Sequence, residues 1–216
     1  MDWTRAVDGY CERIGPAYWA EPINAVTNLA FVLAALYMWR RCGNDLLARL
    51  LCIVLFAIGV GSYLFHTHAQ VWAGMADVLP IGLFILIYIF AINRVGWRLS
   101  FWPAFAVTCL FIPYAAVTVP IFQLVPGLGS SAGYAPVPVL ILFYAILLRH
   151  RDPDLARGLA LGAGLLVLSL TFRTLDLPLC ARLPLGTHFA WHVLNGLMLG
   201  WMIEVYRRAR LGKARA

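Results

Sequence analysis

Residues 71–92 read VWAGMADVLPIGLFILIYIFAI, and this segment decides the fold class of the chain. Its 22 residues are enough to cross a bilayer, whose hydrocarbon core needs about 20 apolar residues in a helix. A backbone in hydrocarbon must satisfy its own hydrogen bonds, so the segment is predicted to be a transmembrane helix. Asp77 is its one charged residue. A charge inside a membrane is costly, which makes Asp77 a candidate functional residue.

Six further segments have a similar length and hydropathy, giving seven in all: 22–39, 47–66, 71–92, 101–119, 134–149, 157–175 and 187–206. Hydrophobic residues make up 62% of the 216 residues and charged residues 12%, against roughly 45–50% and about 25% in soluble proteins. This composition excludes an ordinary soluble enzyme, a disordered chain and a disulfide-rich miniprotein. The sequence predicts an all-α bundle of seven transmembrane helices, forming one domain over residues 1–216. Gly158-x-x-x-Gly162 predicts a close contact between two of the helices.

The distribution of basic residues predicts the orientation of the bundle. Of the 17 Lys and Arg residues, 13 fall in the first, third and fifth connections and the C-terminal tail. The positive-inside rule then places the N-terminus outside and the C-terminus in the cytoplasm, which requires an odd number of spans. Residues 1–21 become an external cap segment and 207–216 a basic cytoplasmic tail. The net charge of +7 is compatible with nucleic-acid binding, but a basic cluster beside a membrane more often binds anionic lipid headgroups. Membrane lipids are therefore the expected partners, with no nucleic acid and no obligate protein partner evident.

Five polar residues are predicted to lie at a similar depth near the outer ends of three helices: Ser62, His66, Asp77, His188 and His192. His188 and His192 are four residues apart and share one helical face, as do Ser62 and His66. Two histidines at this spacing can bind one ion, and a third from a facing helix completes the three-ligand set typical of catalytic zinc. The alternative is that each histidine only hydrogen-bonds a neighbouring helix.

The two remaining polar residues fit hydrolytic chemistry around such an ion. Zinc polarises a carbonyl and lowers the pKa of a bound water, and Asp77 is placed to orient or deprotonate that water. Ser62 can donate a hydrogen bond to a developing oxyanion. Pro80 cannot donate to the carbonyl of Ala76, which predicts either a free acceptor beside Asp77 or a simple packing kink.

These motifs resemble those of the alkaline ceramidase family, within a superfamily of seven-helix membrane hydrolases that includes adiponectin-type receptors and lipid-remodelling enzymes. Ser62 and His66 resemble its S-x-x-x-H motif, and Asp77 lies at the family's eleven-residue distance from the histidine. His188 and His192 resemble the H-x-x-x-H motif of its last helix. The resemblance covers nearly the whole chain. It implies zinc on the three histidines, catalytic roles for Asp77 and Ser62, and a ceramide-like lipid substrate.

The N-terminal segment also resembles the family, with differences. Tyr10-Cys11-Glu12 is similar to its W-C-E motif, and Ala20-Glu21-Pro22-Ile23-Asn24 to its A-E-F-x-N motif. The resemblance implies calcium on Asp8, Glu12, Glu21 and Asn24. However, Gly9 and Ile14 stand where the family has Asp and Asn, and the intervening stretch is shorter. The alternative is a calcium-free acidic segment satisfied by Arg5 and Arg13.

Two cysteines, Cys11 and Cys180, fall on the predicted outer side, where oxidation is permitted. A disulfide between them would hold the N-terminal segment over the site, and the family resemblance supports this pair. The zinc-site residues and the family resemblance together predict a zinc-dependent membrane amidase, with its site near the non-cytoplasmic face. The resemblance implies that it splits ceramide-type lipids into a sphingoid base and a fatty acid. A hydrolase of another lipid ester or amide, and a seven-helix receptor or sensor without turnover, are the alternatives.

Overall fold

The computed structural model describes residues 2–7 and 9–214, and within this part the chain is helical. A single isolated β-bridge, Ala6 to Gln70, accompanies the helices. A short 3-10 helix at Gly129–Gly133 precedes α7. The helices are α1 (Pro22–Thr27), α2 (Leu29–Arg41), α3 (Leu46–His68), α4 (Val71–Gly96), α5 (Phe101–Cys109), α6 (Phe111–Gln123), α7 (Pro136–Leu148), α8 (Pro153–Leu179) and α9 (His188–Ala214).

Six helical segments of the described chain are long and apolar enough to cross a membrane: Pro22–Arg41, Leu46–His68, Val71–Gly96, Phe101–Gln123, Gly129–Leu148 and Pro153–Leu179. They correspond to the first six predicted spans. The seventh predicted span is present as α9, but it is not among these six. Its apolar stretch is interrupted by His188, His192, Asn195 and Glu204. The polar groups that make α9 chemically interesting also lower its hydropathy.

Two of the six segments are built from two α-helices each. The first is divided at Asn28, whose side chain donates to the carbonyl of Asn24 at 2.8 Å. The fourth is divided at Leu110, three residues before Pro113. Proline has no N–H to bond the carbonyl of Cys109, so a regular helix cannot continue through this point. Both divisions leave the segment long enough to span the bilayer.

The bundle packs around α9, which contacts α2, α3, α4 and α8. Gly158 and Gly162 of α8 face α9, where a side-chain carbon on either would overlap Val205 or Met202. The indole of Trp201 also donates to the carbonyl of Gly158 at 2.9 Å. The predicted close helix contact is therefore present. Outward-facing positions are apolar as well, notably on α6, which buries none of its residues.

The two ends of the bundle have different chemistry. At one end, Glu204 of α9 pairs with Arg41 of α2, and Arg210 pairs with Asp45 at the start of α3. At the other end, the N-terminal segment crosses the α3–α4 turn, where Val7 donates to the carbonyl of Ala69 at 2.7 Å. The histidines lie at this second end, away from most of the basic residues. The fold thus separates a basic end from the end that carries the site.

Candidate metal centre

Three histidines from two helices meet at the end covered by the N-terminal segment. His66 is near the end of α3, while His188 and His192 occupy the first turn and a half of α9. All three are buried, and one ligand atom from each lies within 4.8 Å of the other two. This is the cluster that the sequence motifs predict, and it could hold a metal ion.

The hydrogen bonding of the rings fits such an ion. Nε2 of His66, Nδ1 of His188 and Nε2 of His192 are buried and have no hydrogen-bond partner within the described chain. A buried polar atom without a partner costs roughly 1–3 kcal/mol, and one ligand shared by all three nitrogens would offset this cost. A divalent metal that prefers imidazole nitrogen, such as zinc, would satisfy all three at once.

Two of the rings are oriented through their second nitrogen. Nδ1 of His66 lies 2.6 Å from Oε2 of Glu21, and Nδ1 of His192 lies 3.0 Å from Oγ1 of Thr27. The Thr27 hydroxyl donates its own proton to the carbonyl of Ile23 at 2.8 Å, so its oxygen is left to accept from His192. With both Nδ1 atoms protonated, the lone pairs of both Nε2 atoms face the centre of the cluster. Metal-binding histidines are commonly oriented in this way.

Backbone capping and ring stacking hold His188. Asp176 of α8 accepts from the backbone N–H groups of Thr187 and His188, at 2.7 and 2.9 Å, and so caps the start of α9. The ring of Tyr10 stacks on His188 with their centroids 3.8 Å apart. A side-chain carbon on Gly186, whose φ is +64°, would overlap the Asp176 carboxylate. Glycine is therefore required at this turn.

Ser62 and Asp77 lie beside the histidines, as predicted. The Asp77 side chain lies close enough to Ser62 and His66 to interact with both. Their approach depends on Gly61, because a side-chain carbon there would overlap the Ala76 carbonyl. That carbonyl is the one that Pro80 leaves without a helical donor. The proline and the glycine together allow α3 and α4 to approach closely at the site.

Of the four residues to which the family resemblance assigns calcium, the three that the structure describes have other contacts. Glu12 accepts from the backbone N–H groups of Ile23 and Asn24, at 2.6 and 2.7 Å, at the start of α1. Glu21 accepts from His66 and forms a buried ion pair with Arg13. Burial raises the pKa of Glu21, but the hydrogen bonds from His66 and Arg13 outweigh it and hold the pKa below its ordinary value. Asp8 lies outside the described residues. A guanidinium inside the cluster does not fit a calcium site, and the calcium assignment stays a prediction.

An apolar cavity lies between α4, α7, α8 and α9. Ile81, Phe84 and Tyr88 of α4 line one wall, and Val137 and Leu140 of α7 another. Trp191 and Asn195, which flank His192 in α9, bring the cavity to the level of the histidines. Its lining suits an aliphatic chain.

Comparison with known families agrees with this geometry. The ceramidase family model matches residues 7–215, nearly the whole chain. The chain belongs to the ceramidase family. No curated protein matches it. Family membership implies a hydrolase that acts on amide bonds, with a ceramide lipid as its substrate.

The predicted disulfide of this ceramidase-family protein is present. Cys11 is bonded to Cys180, across 169 residues of sequence, and links the N-terminal segment to the end of α8. The backbone N–H of Cys11 also donates to Asp176 at 2.9 Å. The disulfide and the capping carboxylate therefore hold the same stretch of chain beside His188.

Four residues near the site were missed in the sequence as functional candidates: Tyr10, Thr27, Arg173 and Asp176. Arg173 lies 5.1 Å from the ring centroid of Tyr134 and donates to Ser130 at 2.6 Å. It falls inside the predicted span 157–175, so the rule that selected Asp77, an ionisable residue within a span, would have found it. Asp176 lies one residue beyond that span. Nothing in the local sequence distinguishes Thr27.

Proposed function

We propose that the protein is a zinc-dependent membrane amidase that hydrolyses ceramide-type lipids to a sphingoid base and a free fatty acid. The proposal rests on three buried ring nitrogens that have no hydrogen-bond partner among the described residues, because they form a three-ligand set beside a carboxylate and a hydroxyl. The family match supports the amide bond and the lipid substrate.

The chemistry of each residue in the site indicates its role in the reaction. His66, His188 and His192 would hold zinc, which would supply a Lewis acid and lower the pKa of water. Asp77 would take a proton from the attacking water as the water oxygen bonds to the amide carbon. It would then deliver this proton to the leaving amine as the C–N bond breaks and the carbonyl forms again. Ser62 would donate a hydrogen bond to the oxygen of the tetrahedral intermediate. The apolar cavity would receive an aliphatic chain of the substrate without contact with water.

Metal analysis and lipid hydrolysis of the purified protein test this proposal. We expect one zinc per chain in the wild type, lost in the His66→Ala and His188→Ala variants. His68→Ala is the matched control, because this exposed histidine lies at the end of the same helix. A wild-type protein that binds no metal when supplied with zinc would exclude the proposed site.

Substitutions of the two catalytic candidates separate an enzyme from a receptor. Asp77→Asn should retain zinc while the rate of fatty-acid release falls by about 10²–10⁴-fold. Ser62→Ala should reduce it by about 10²-fold. Zinc binding without release of a sphingoid base would favour a receptor or sensor. Cleavage of lipid esters alone would favour a hydrolase that acts on a different lipid.

We also propose that α9 is a seventh span and that the site faces away from the cytoplasm. The separation of the basic end from the histidine end supports this orientation. A fluorescent tag after residue 216 should resist external protease in sealed cells. A tag before residue 1 should be removed, and the reverse pattern would exclude the proposed orientation.

A further inference from the structure

A buried arginine lies directly behind the histidine cluster. The side chain of Arg13 is 4% exposed, and each of its nitrogens has a partner. Nε binds the Glu21 carboxylate, Nη1 donates to the carbonyl of Gly15 at 3.1 Å, and Nη2 donates to the carbonyl of His66 at 3.0 Å. The guanidinium thus connects the N-terminal segment to the helix that carries a metal ligand.

Glu21 lies between this cation and the imidazole of His66. Its Oε1 takes the ion pair with Arg13, while its Oε2 accepts from Nδ1 of His66 at 2.6 Å and from the Asn24 amide at 3.2 Å. The Glu21 side chain is 3% exposed, and a carboxylate this deeply buried needs a partner of opposite charge. Arg13 is the cation in direct contact with it.

We infer that Arg13 is a positioning residue of the metal centre: it is a built-in cation that holds Glu21 against His66 and replaces the calcium that the family resemblance assigns to this cluster. The inference rests on the proposed zinc site. A divalent ion on Glu21 would have to share the carboxylate with a guanidinium already bound to it, at a strong cost in repulsion. Glu12 is a weaker ligand for such an ion, because each of its oxygens already accepts a backbone N–H group of α1.

The residue type matters for this role. An arginine presents donors in a rigid planar fork, and here the fork meets one carboxylate and two backbone carbonyls in different directions. A lysine would keep the charge but has a single nitrogen, which cannot reach all three acceptors from the same position. Arg13→Lys should therefore keep Glu21 partly positioned against His66, whereas Arg13→Ala should abolish this positioning.

Zinc affinity, measured by competition with a chromogenic chelator, tests the positioning role separately from turnover. Glu21→Gln should weaken zinc binding by about 10–100-fold, as expected for loss of the partner that orients a histidine. Arg13→Ala should weaken it by about 10-fold, with Arg13→Lys in between. Arg5→Ala is the matched control, because this exposed arginine lies in the same N-terminal segment. Wild-type zinc affinity in a folded Arg13→Ala protein would overturn the inference.

Calcium binding to the intact wild type tests the inference without reference to zinc or to any variant. Titration with calcium alone, followed by calorimetry and by the melting temperature in detergent, should give no binding and no shift at millimolar concentration. One bound calcium per chain, lost in Glu21→Gln, would overturn the inference and restore the calcium site. A protein without zinc affinity would instead contradict the proposed function, so the two failures are distinguishable.

Discussion

Asp176 is an acidic residue that caps a helix. Of the alanine substitutions at such residues, we expect Asp176→Ala to destabilise the protein the most. Its carboxylate is buried and accepts three backbone N–H groups, from Cys11, Thr187 and His188, at 2.7–2.9 Å. These groups belong to two segments separated by more than 160 residues. Asp176→Ala would leave the three donors unsatisfied in the space that the carboxylate occupied.

The size of the effect follows from these three bonds. Each buried donor left without an acceptor costs roughly 1–3 kcal/mol, which gives about 3–9 kcal/mol if the costs add. Water can enter the vacated space and satisfy some of the donors, so we expect about 3–5 kcal/mol. Asp176→Asn retains one acceptor oxygen for Thr187 and His188 but turns an amide towards the N–H of Cys11. It should cost about 1–3 kcal/mol.

Equilibrium unfolding in mixed micelles of dodecylmaltoside and sodium dodecyl sulfate, followed by tryptophan fluorescence, would measure both variants. Asp154→Ala is the matched control, because it removes an exposed acid at the opposite end of the same helix and should change stability by less than about 0.5 kcal/mol. If Asp176→Ala unfolds within about 1 kcal/mol of the wild type, the carboxylate does not hold these segments together. Zinc affinity of the Asn variant should fall as well, because His188 begins the helix that Asp176 caps.

Three further changes test the site and its surroundings. Thr27→Ala removes the hydroxyl that orients His192, so zinc affinity should fall by about 10-fold in a competition titration. Cys11→Ser opens a cross-link that spans 169 residues and should lower the free energy of unfolding by about 2–5 kcal/mol in the same micelle assay. Ile85→Trp fills part of the apolar cavity and should reduce hydrolysis of long-chain amides by about 10-fold relative to short-chain ones, a difference of about 1.4 kcal/mol in transition-state binding.

Matched variants control each of these three experiments. Thr174→Ala removes a hydroxyl with the same type of backbone bond but no contact with a histidine, so zinc affinity should not change. Cys109→Ser replaces an exposed free thiol and should leave stability unaltered. Leu83→Trp adds the same bulk to the outer face of α4 and should leave chain-length preference unchanged. Equal effects in a test variant and its control would contradict the corresponding assignment.

The transmembrane segments were predictable because hydropathy is a local property of the sequence. Residues 71–92 identify a span without reference to any other part of the chain, and α4 occupies Val71–Gly96. The seventh predicted span, residues 187–206, is also helical as α9, although His188 and Glu204 make it less apolar than the other six. The histidine cluster was also predictable, because the spacing of the histidines and their depth along two helices place them close together.

The partners of Glu21 and Asp176 were not predictable from the sequence. Glu21 lies in a motif that resembles a calcium ligand set, yet the fold places the Arg13 guanidinium on one of its oxygens and His66 on the other. Asp176 looks like one more residue at the end of a helix, and only the packing of α8 against α9 brings it to the start of the next helix. Local sequence cannot report such contacts, because they depend on the three-dimensional arrangement of distant segments.

The sequence by itself determined the membrane environment, the positions of the helices and the residue types of the histidine cluster. Each of these follows from hydropathy, charge and helical spacing over a few turns. The tertiary structure alone decided which partner satisfies each buried charge. Glu21 meets Arg13 and His66, and Asp176 meets Cys11 and the start of α9. Packing determines which hydrogen-bond donors lie beside a buried carboxylate. In this protein those donors come from segments that are far apart in the sequence.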